Sequence, residues 1–146
     1  MQEPSEDLVT ALESEVLGEA SFRSAYYVLF NAEKKRKLKS LWALETETKR
    51  RLLAHYAAND IRLPGRAGLA MKASVIGLLM PLLPWGKLME TFLTVFRRLH
   101  DTAPDEHKAL FAFVVAHEEA IEAFALIESG QREGDPLAAI EALLAA

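Results

Sequence analysis

Apolar residues recur at three- and four-residue spacing along most of this chain, the mark of amphipathic helices. The stretch from Leu110 to Glu128 shows it best. Leu110, Phe113, Val114, Ile121 and Phe124 fall on one side of a helix. His117 sits in the middle of that stripe. Glu118 lies on its flank, and Glu128 returns to its centre near the end. Ionisable groups on a core-facing stripe need partners, because an uncompensated buried charge is costly.

Two upstream segments carry the same anomaly. The first predicted helix covers 6–30, with Leu8, Leu12, Phe22, Tyr26, Leu29 and Phe30 on its apolar face. Pro4 and Ser5 start it, and Glu6 and Asp7 suit its first turn. Glu15 and Glu19 project from the same face, beside Gly18, which admits a close neighbour. Asn31-Ala32 is the only break before a second helix over 33–58. So short a connection implies an antiparallel hairpin. The inner face of helix 2 is Leu38, Leu41, Trp42, Leu52, Leu53 and Tyr56, with Glu45 and Lys49 in its middle. Its basic opening, Lys34-Lys35-Arg36-Lys37, reads as a solvated surface, with a phosphate or membrane-surface contact as the alternative.

Residues 59–84 change character, from the polar NDIRLPGRAG to a nearly apolar run broken by Lys72, Pro81 and Pro84. That run is too short and interrupted for a spanning helix. It is expected to pack on the helices or in a dimer, with a membrane-surface contact through residues 68–85 as the alternative. A third helix follows over 85–100, its inner face Trp85, Leu88, Met89, Phe92, Phe96 and Leu99. Asp101 or Thr102 is the expected cap of the fourth helix, with Pro104 in its first turn. Ser129-Gly130 ends that helix, and Asp135-Pro136 opens a short terminal helix over 135–146.

Composition narrows the picture. At 146 residues the chain is read as one domain, with a hairpin over 6–58, a crossover over 59–84, a second hairpin over 85–129 and a terminal helix. Two hairpins joined by a long crossover fit an all-α four-helix bundle better than a simple up-down one. The mild net charge of −4 gives no nucleic-acid footprint. With no cysteine, disulfides and thiolate chemistry are excluded. An acidic, polar start without a secretory pattern makes a cytoplasmic location the expectation.

Height along the helices brings the polar residues together. Glu19 and Glu45 each lie 13 residues from Ala32, and Glu15 and Lys49 each lie 17 from it. His117 lies 14 residues beyond Ala103, near mid-height. The expectation is that Glu19 faces Glu45 with His117 approaching from helix 4, and that Glu15 sits one turn away, level with Lys49. The predicted polar cluster is therefore Glu15, Glu19, Glu45, Lys49 and His117, with Glu118 nearby.

With that topology and those residues, the chain resembles the ferritin-like superfamily, which includes rubrerythrins and bacterioferritins. The resemblance covers residues 6–129 and implies a di-metal site built from single glutamates and Glu-x-x-His pairs. Glu19 (or Glu15) takes a single-Glu position. Glu45 looks like the first pair's Glu, but Thr48 stands at its histidine position. Helix 3 offers only Glu90, which points away from the apolar stripe. Glu118 matches the second pair's Glu, but Ile121 stands where its histidine belongs, and His117 is out of register. The favoured reading is thus a non-catalytic interaction or structural module that has lost a di-metal centre and holds no cofactor, Lys49 and Arg23 replacing the metal's charge. The alternative is an iron- or manganese-dependent oxidase or oxygenase with a reduced ligand set, Glu19, Glu45, His117 and Glu118.

Other chemistry is sparse. There is no phosphate-binding or dinucleotide motif. Ser21, Ser24 and Ser40 have no histidine in plausible reach, and His55, His100 and His107 read as surface residues. Tyr26 and Tyr56 read as core residues with bonded hydroxyls. A homodimer is expected, with Leu79, Leu82, Leu83 or Trp85 and the terminal helix in its contact.

Overall fold

The computed structural model describes residues 1–65 and 85–146. The described residues are helical throughout, apart from turns and one isolated bridge. The helices are α1 (Glu6–Val28), α2 (Ala32–Ala58), α3 (Trp85–Thr102), α4 (Asp105–Glu128) and α5 (Ala138–Ala145). None is long and apolar enough to cross a membrane. Most of the predicted crossover, with Leu79, Leu82 and Leu83, lies outside the described residues, as does the Trp85 side chain.

Local chemistry sets the helix ends. The Ser5 hydroxyl accepts the Leu8 amide at 3.2 Å, and the Asn31 side chain accepts the Lys34 amide at 3.0 Å, capping α1 and α2. Leu29 is extended between them (φ −89°, ψ 144°). That break in the helical angle removes Phe30 from the apolar stripe expected of it, and Phe30 is fully exposed. The expected cap of α4 at Asp101 or Thr102 is replaced. Thr102 closes α3 instead, its hydroxyl donating to the Arg98 carbonyl at 2.8 Å, and Pro104 stands at the α4 cap without a side-chain bond. Gly130, at φ +76°, ends α4 in the left-handed conformation that glycine adopts freely.

The four long helices pack around one interior: α1 on α2, α3 on α4, α1 on α3 and α2 on α4. Two apolar layers fix their directions. In the first, Leu8 and Leu12 of α1 meet Leu52 and Tyr56 from late α2, Phe96 and Leu99 from late α3, and Phe111 and Val114 from early α4. The second joins Phe22, Leu41, Leu44, Phe113 and Ala120 to Leu137 and Ile140. The end of α2 and the end of α3 therefore share one layer. Both helices run the same way, and the two described ends of the 59–84 connection lie at opposite ends of the molecule. The start of the chain closes the first end. Gln2 bridges Ile61, with its amide on the Asp60 carbonyl at 2.7 Å and its carbonyl accepting Arg62 N–H at 2.8 Å.

The terminal helix, expected to help form a dimer contact, packs on its own chain. Leu137 and Ile140 are fully buried against α2 and α4. Asp135 accepts the Leu137 amide at 2.9 Å and sets the turn into α5.

A candidate metal centre of buried carboxylates and one histidine

Between the two apolar layers the interior turns polar. Glu15 of α1, Glu45 and Thr48 of α2, and His117 and Glu118 of α4 are all buried there. The helical period puts them there. Glu15 follows Leu8 and Leu12 on the α1 stripe, Glu45 sits between Leu41 and Leu52 on α2, and His117 comes one turn after Phe113 and Val114 on α4. His117 is thus carried inside by apolar neighbours one turn above and below it, and Glu15 and Glu45 by apolar neighbours one turn before them.

His117 is the hub. Its Nε2 lies 3.4 Å from Glu45 Oε1, and its Nδ1 lies 3.5 Å from Glu15 Oε2 and 2.5 Å from Thr48 Oγ1. The Thr48 hydroxyl donates to the Leu44 carbonyl at 3.0 Å. With that proton committed, Thr48 accepts from His117 Nδ1–H. In the neutral ring the lone pair is then on Nε2, turned toward Glu45. Neither Glu15 oxygen nor His117 Nε2 has a hydrogen-bond partner. Atoms of Glu15, His117 and Glu118 lie within 4.8 Å of one another, a separation suited to a shared metal ion.

Gly18 makes room for this arrangement. A Cβ at that position would stand 2.4 Å from Glu45 Cδ, so any side chain there would displace the carboxylate. The close approach expected of this glycine is made by Glu45.

Protonation follows from burial. Desolvation first, then the Glu45 charge, push the Glu15 carboxyl well above its ordinary range. Glu118 is pushed up to about 7, by burial against the opposing pull of His117. Burial pulls His117 down, but the charges of Glu45 and Glu118 outweigh it and its pKa is raised.

The expected pairing across the first hairpin is changed in one respect. Glu45 faces Gly18 and the Glu15–His117 pair, whereas Glu19 lies half-buried at the outer seam of α1 and α2. There it accepts from Thr46 at 2.8 Å and is ion-paired with Lys49. Lys49 therefore belongs to Glu19 and not to the centre, and Arg23 is exposed. Counting from a turn gives height, but not whether a side chain leans inward or outward. Leaning outward keeps both ions of this pair partly hydrated. Glu15 takes the central position, and Thr48, read from the sequence only as a missing histidine, orients the ring. A hydroxyl one helical turn from the Glu45 level was the available signal.

The remaining residues fall outside the centre. Glu128 is at the surface, 2.5 Å from Lys37. Glu90 is exposed. Tyr56 is buried, but its hydroxyl has no hydrogen-bond partner, contrary to expectation, and burial pushes it up to about 12. His55 and His107 are half-buried and stack edge to face at 4.7 Å.

One turn from the centre, toward the second layer, lies an apolar cavity of about 250 Å³ lined by Phe22, Leu38, Leu41, Met89, Ile121 and Phe124. Leu41 and Ile121 stand four residues from Glu45 and His117, so the cavity and the polar level are adjacent along both helices. The chain matches no family model, no curated protein and no solved structure.

Proposed function

We propose that this protein is a ferritin-like four-helix bundle that holds one iron or manganese ion at Glu15, Glu45, His117 and Glu118, and acts as a metal-dependent oxidase or oxygenase with a reduced ligand set. The observation that carries the reading is the charge at the centre. Three carboxylates and one imidazole are buried together, and Lys49 and Arg23, the cations expected to balance them, lie outside. A divalent cation supplies the missing charge and gives the partnerless Glu15 oxygens and His117 Nε2 something to bind. Carboxylate oxygens with one imidazole suit manganese and iron.

The residues of the chain divide the work. Thr48 holds the His117 ring in the tautomer that offers Nε2, the role an outer-shell partner plays at a metal centre. Gly18 admits the Glu45 carboxylate. The neighbouring pocket offers an apolar organic substrate a place one turn away. Bound iron or manganese supplies one-electron chemistry that none of these side chains offers.

A second reading has one observation in its favour. Glu90 of α3 is exposed, so α3 gives the centre no carboxylate there and a full di-metal set is missing. On that reading the protein is a non-catalytic interaction module, homodimeric, whose centre is balanced by protonated His117 and Glu15.

Equilibrium dialysis against ferrous or manganous ion, with elemental analysis, separates the two. One ion per chain is expected, released as the pH falls, and lost in Glu15→Gln and His117→Ala. No stoichiometric metal in the folded wild-type chain would leave the second reading in place.

A further inference from the structure

The apex of the α1–α2 hairpin is unlike the rest of the surface formed by the described residues. Phe30 is 100% exposed, Tyr27 69% and Val28 55%, three large apolar side chains within four consecutive residues. Exposed apolar residues are ordinarily scattered singly and need no explanation, but these are grouped on one projecting turn.

Charge accompanies them. Residues 23–39 hold six cations, Arg23, Lys34, Lys35, Arg36, Lys37 and Lys39, and one carboxylate, Glu33, in a chain of net charge −4. Glu33 lies on Lys37 at 3.5 Å, and Glu128 of α4 reaches the same lysine at 2.5 Å. Lys35 sits over the Tyr26 ring at 4.5 Å, which joins the basic run to the aromatic one. Arg23, Lys34, Arg36 and Lys39 remain exposed around the apex.

We propose that this apex docks on an anionic lipid surface, with Tyr27, Val28 and Phe30 entering the headgroup layer and the surrounding lysines and arginines lying on the negative charge. Aromatic side chains favour that interface, and basic residues add attraction that short apolar contacts lack. A folded protein partner fits less well. A stable interface covers roughly 800 Å² on each side, and a convex apex of three side chains does not supply that. The acidic remainder of the molecule is repelled by the same surface, so the chain docks end-on. This contact is separate from the metal reading and stands or falls without it.

The test is co-sedimentation of the full chain with vesicles of phosphatidylcholine alone and of phosphatidylcholine mixed equally with phosphatidylserine. Binding to the mixed vesicles only is expected, released near 1 M salt, where screening acts within about 3 Å. Val28→Ser with Phe30→Ser, and separately Lys34→Glu with Arg36→Glu, should each lower the partition coefficient roughly tenfold or more. These residues are exposed, and unchanged circular dichroism will show that the fold is kept. Lys108→Glu, at the opposite end of the molecule, should leave binding unaltered. No sedimentation with the mixed vesicles would overturn the proposal. So would equal loss with Lys108→Glu, which would make the effect one of net charge alone. Retention by immobilised polyglutamate without vesicle binding would replace the lipid with an acidic polypeptide.

Discussion

The same helices build two very different levels of the interior. At one level Leu12, Leu52, Tyr56, Phe96 and Val114 close on each other, with no carboxylate or imidazole among them. One turn along, Glu15, Glu45, Thr48, His117 and Glu118 occupy the corresponding space. The apolar level is stabilised by area removed from water. The polar level is destabilising until its charges are balanced, and it persists because apolar layers on both sides hold its helices in place. Chemistry is therefore to be sought where the interior departs from the pattern that folds it.

The sharpest way to break this comparison is to remove the hub. His117→Leu makes the polar level more apolar in composition, but leaves Glu15, Glu45 and Glu118 facing one another without a cation. We expect a loss of about 3–5 kcal/mol at pH 7.5, measured by urea denaturation of metal-free protein. The loss should be smaller at pH 5, where Glu118 holds a proton. A stabilised variant at pH 7.5 would mean that His117 is an ordinary core residue.

The pH dependence of the metal-free protein comes next. Glu118 titrates at about 7 in the folded chain against an ordinary 4.5, so between those values the folded state holds a proton that the unfolded state has released. Stability from this group is complete below pH 4.5 and is lost as the pH rises through about 7. At about 1.4 kcal/mol per pH unit the loss is about 3 kcal/mol. Glu15 and His117 are also raised and act with the same sign. Denaturation at pH 5 and pH 8 checks this. Bound metal should reverse the slope, because binding displaces those protons. A metal-free protein whose stability rises over the same window would refute the charge balance described for the centre.

The smallest effect should come from the edge. Lys49→Met removes the cation from Glu19, which keeps Thr46 and partial hydration. A cost of about 1 kcal/mol or less is expected, with metal uptake unchanged. If Lys49→Met abolished uptake, the edge pair and the centre would be a single network.

Periodicity and end signals determined most of the architecture. Ser5, Asn31 and Gly130 act at helix ends as their chemistry dictates, since a cap needs only residues close in sequence. The approach of His117 to Glu45 was also legible, because height along a helix follows from counting. What counting leaves open is the direction in which a side chain leans between neighbouring helices. Tertiary packing decided that Glu15 enters the centre while Glu19 turns outward to Lys49, since an outward ion pair keeps its water and an inward one loses it. Packing likewise turned Thr48 from a missing ligand into the partner that orients His117, and left Phe30 on the surface, where one extended residue, Leu29, interrupts the helical angle. Such outcomes depend on groups from separate helices meeting in space, and a local pattern carries no record of those meetings.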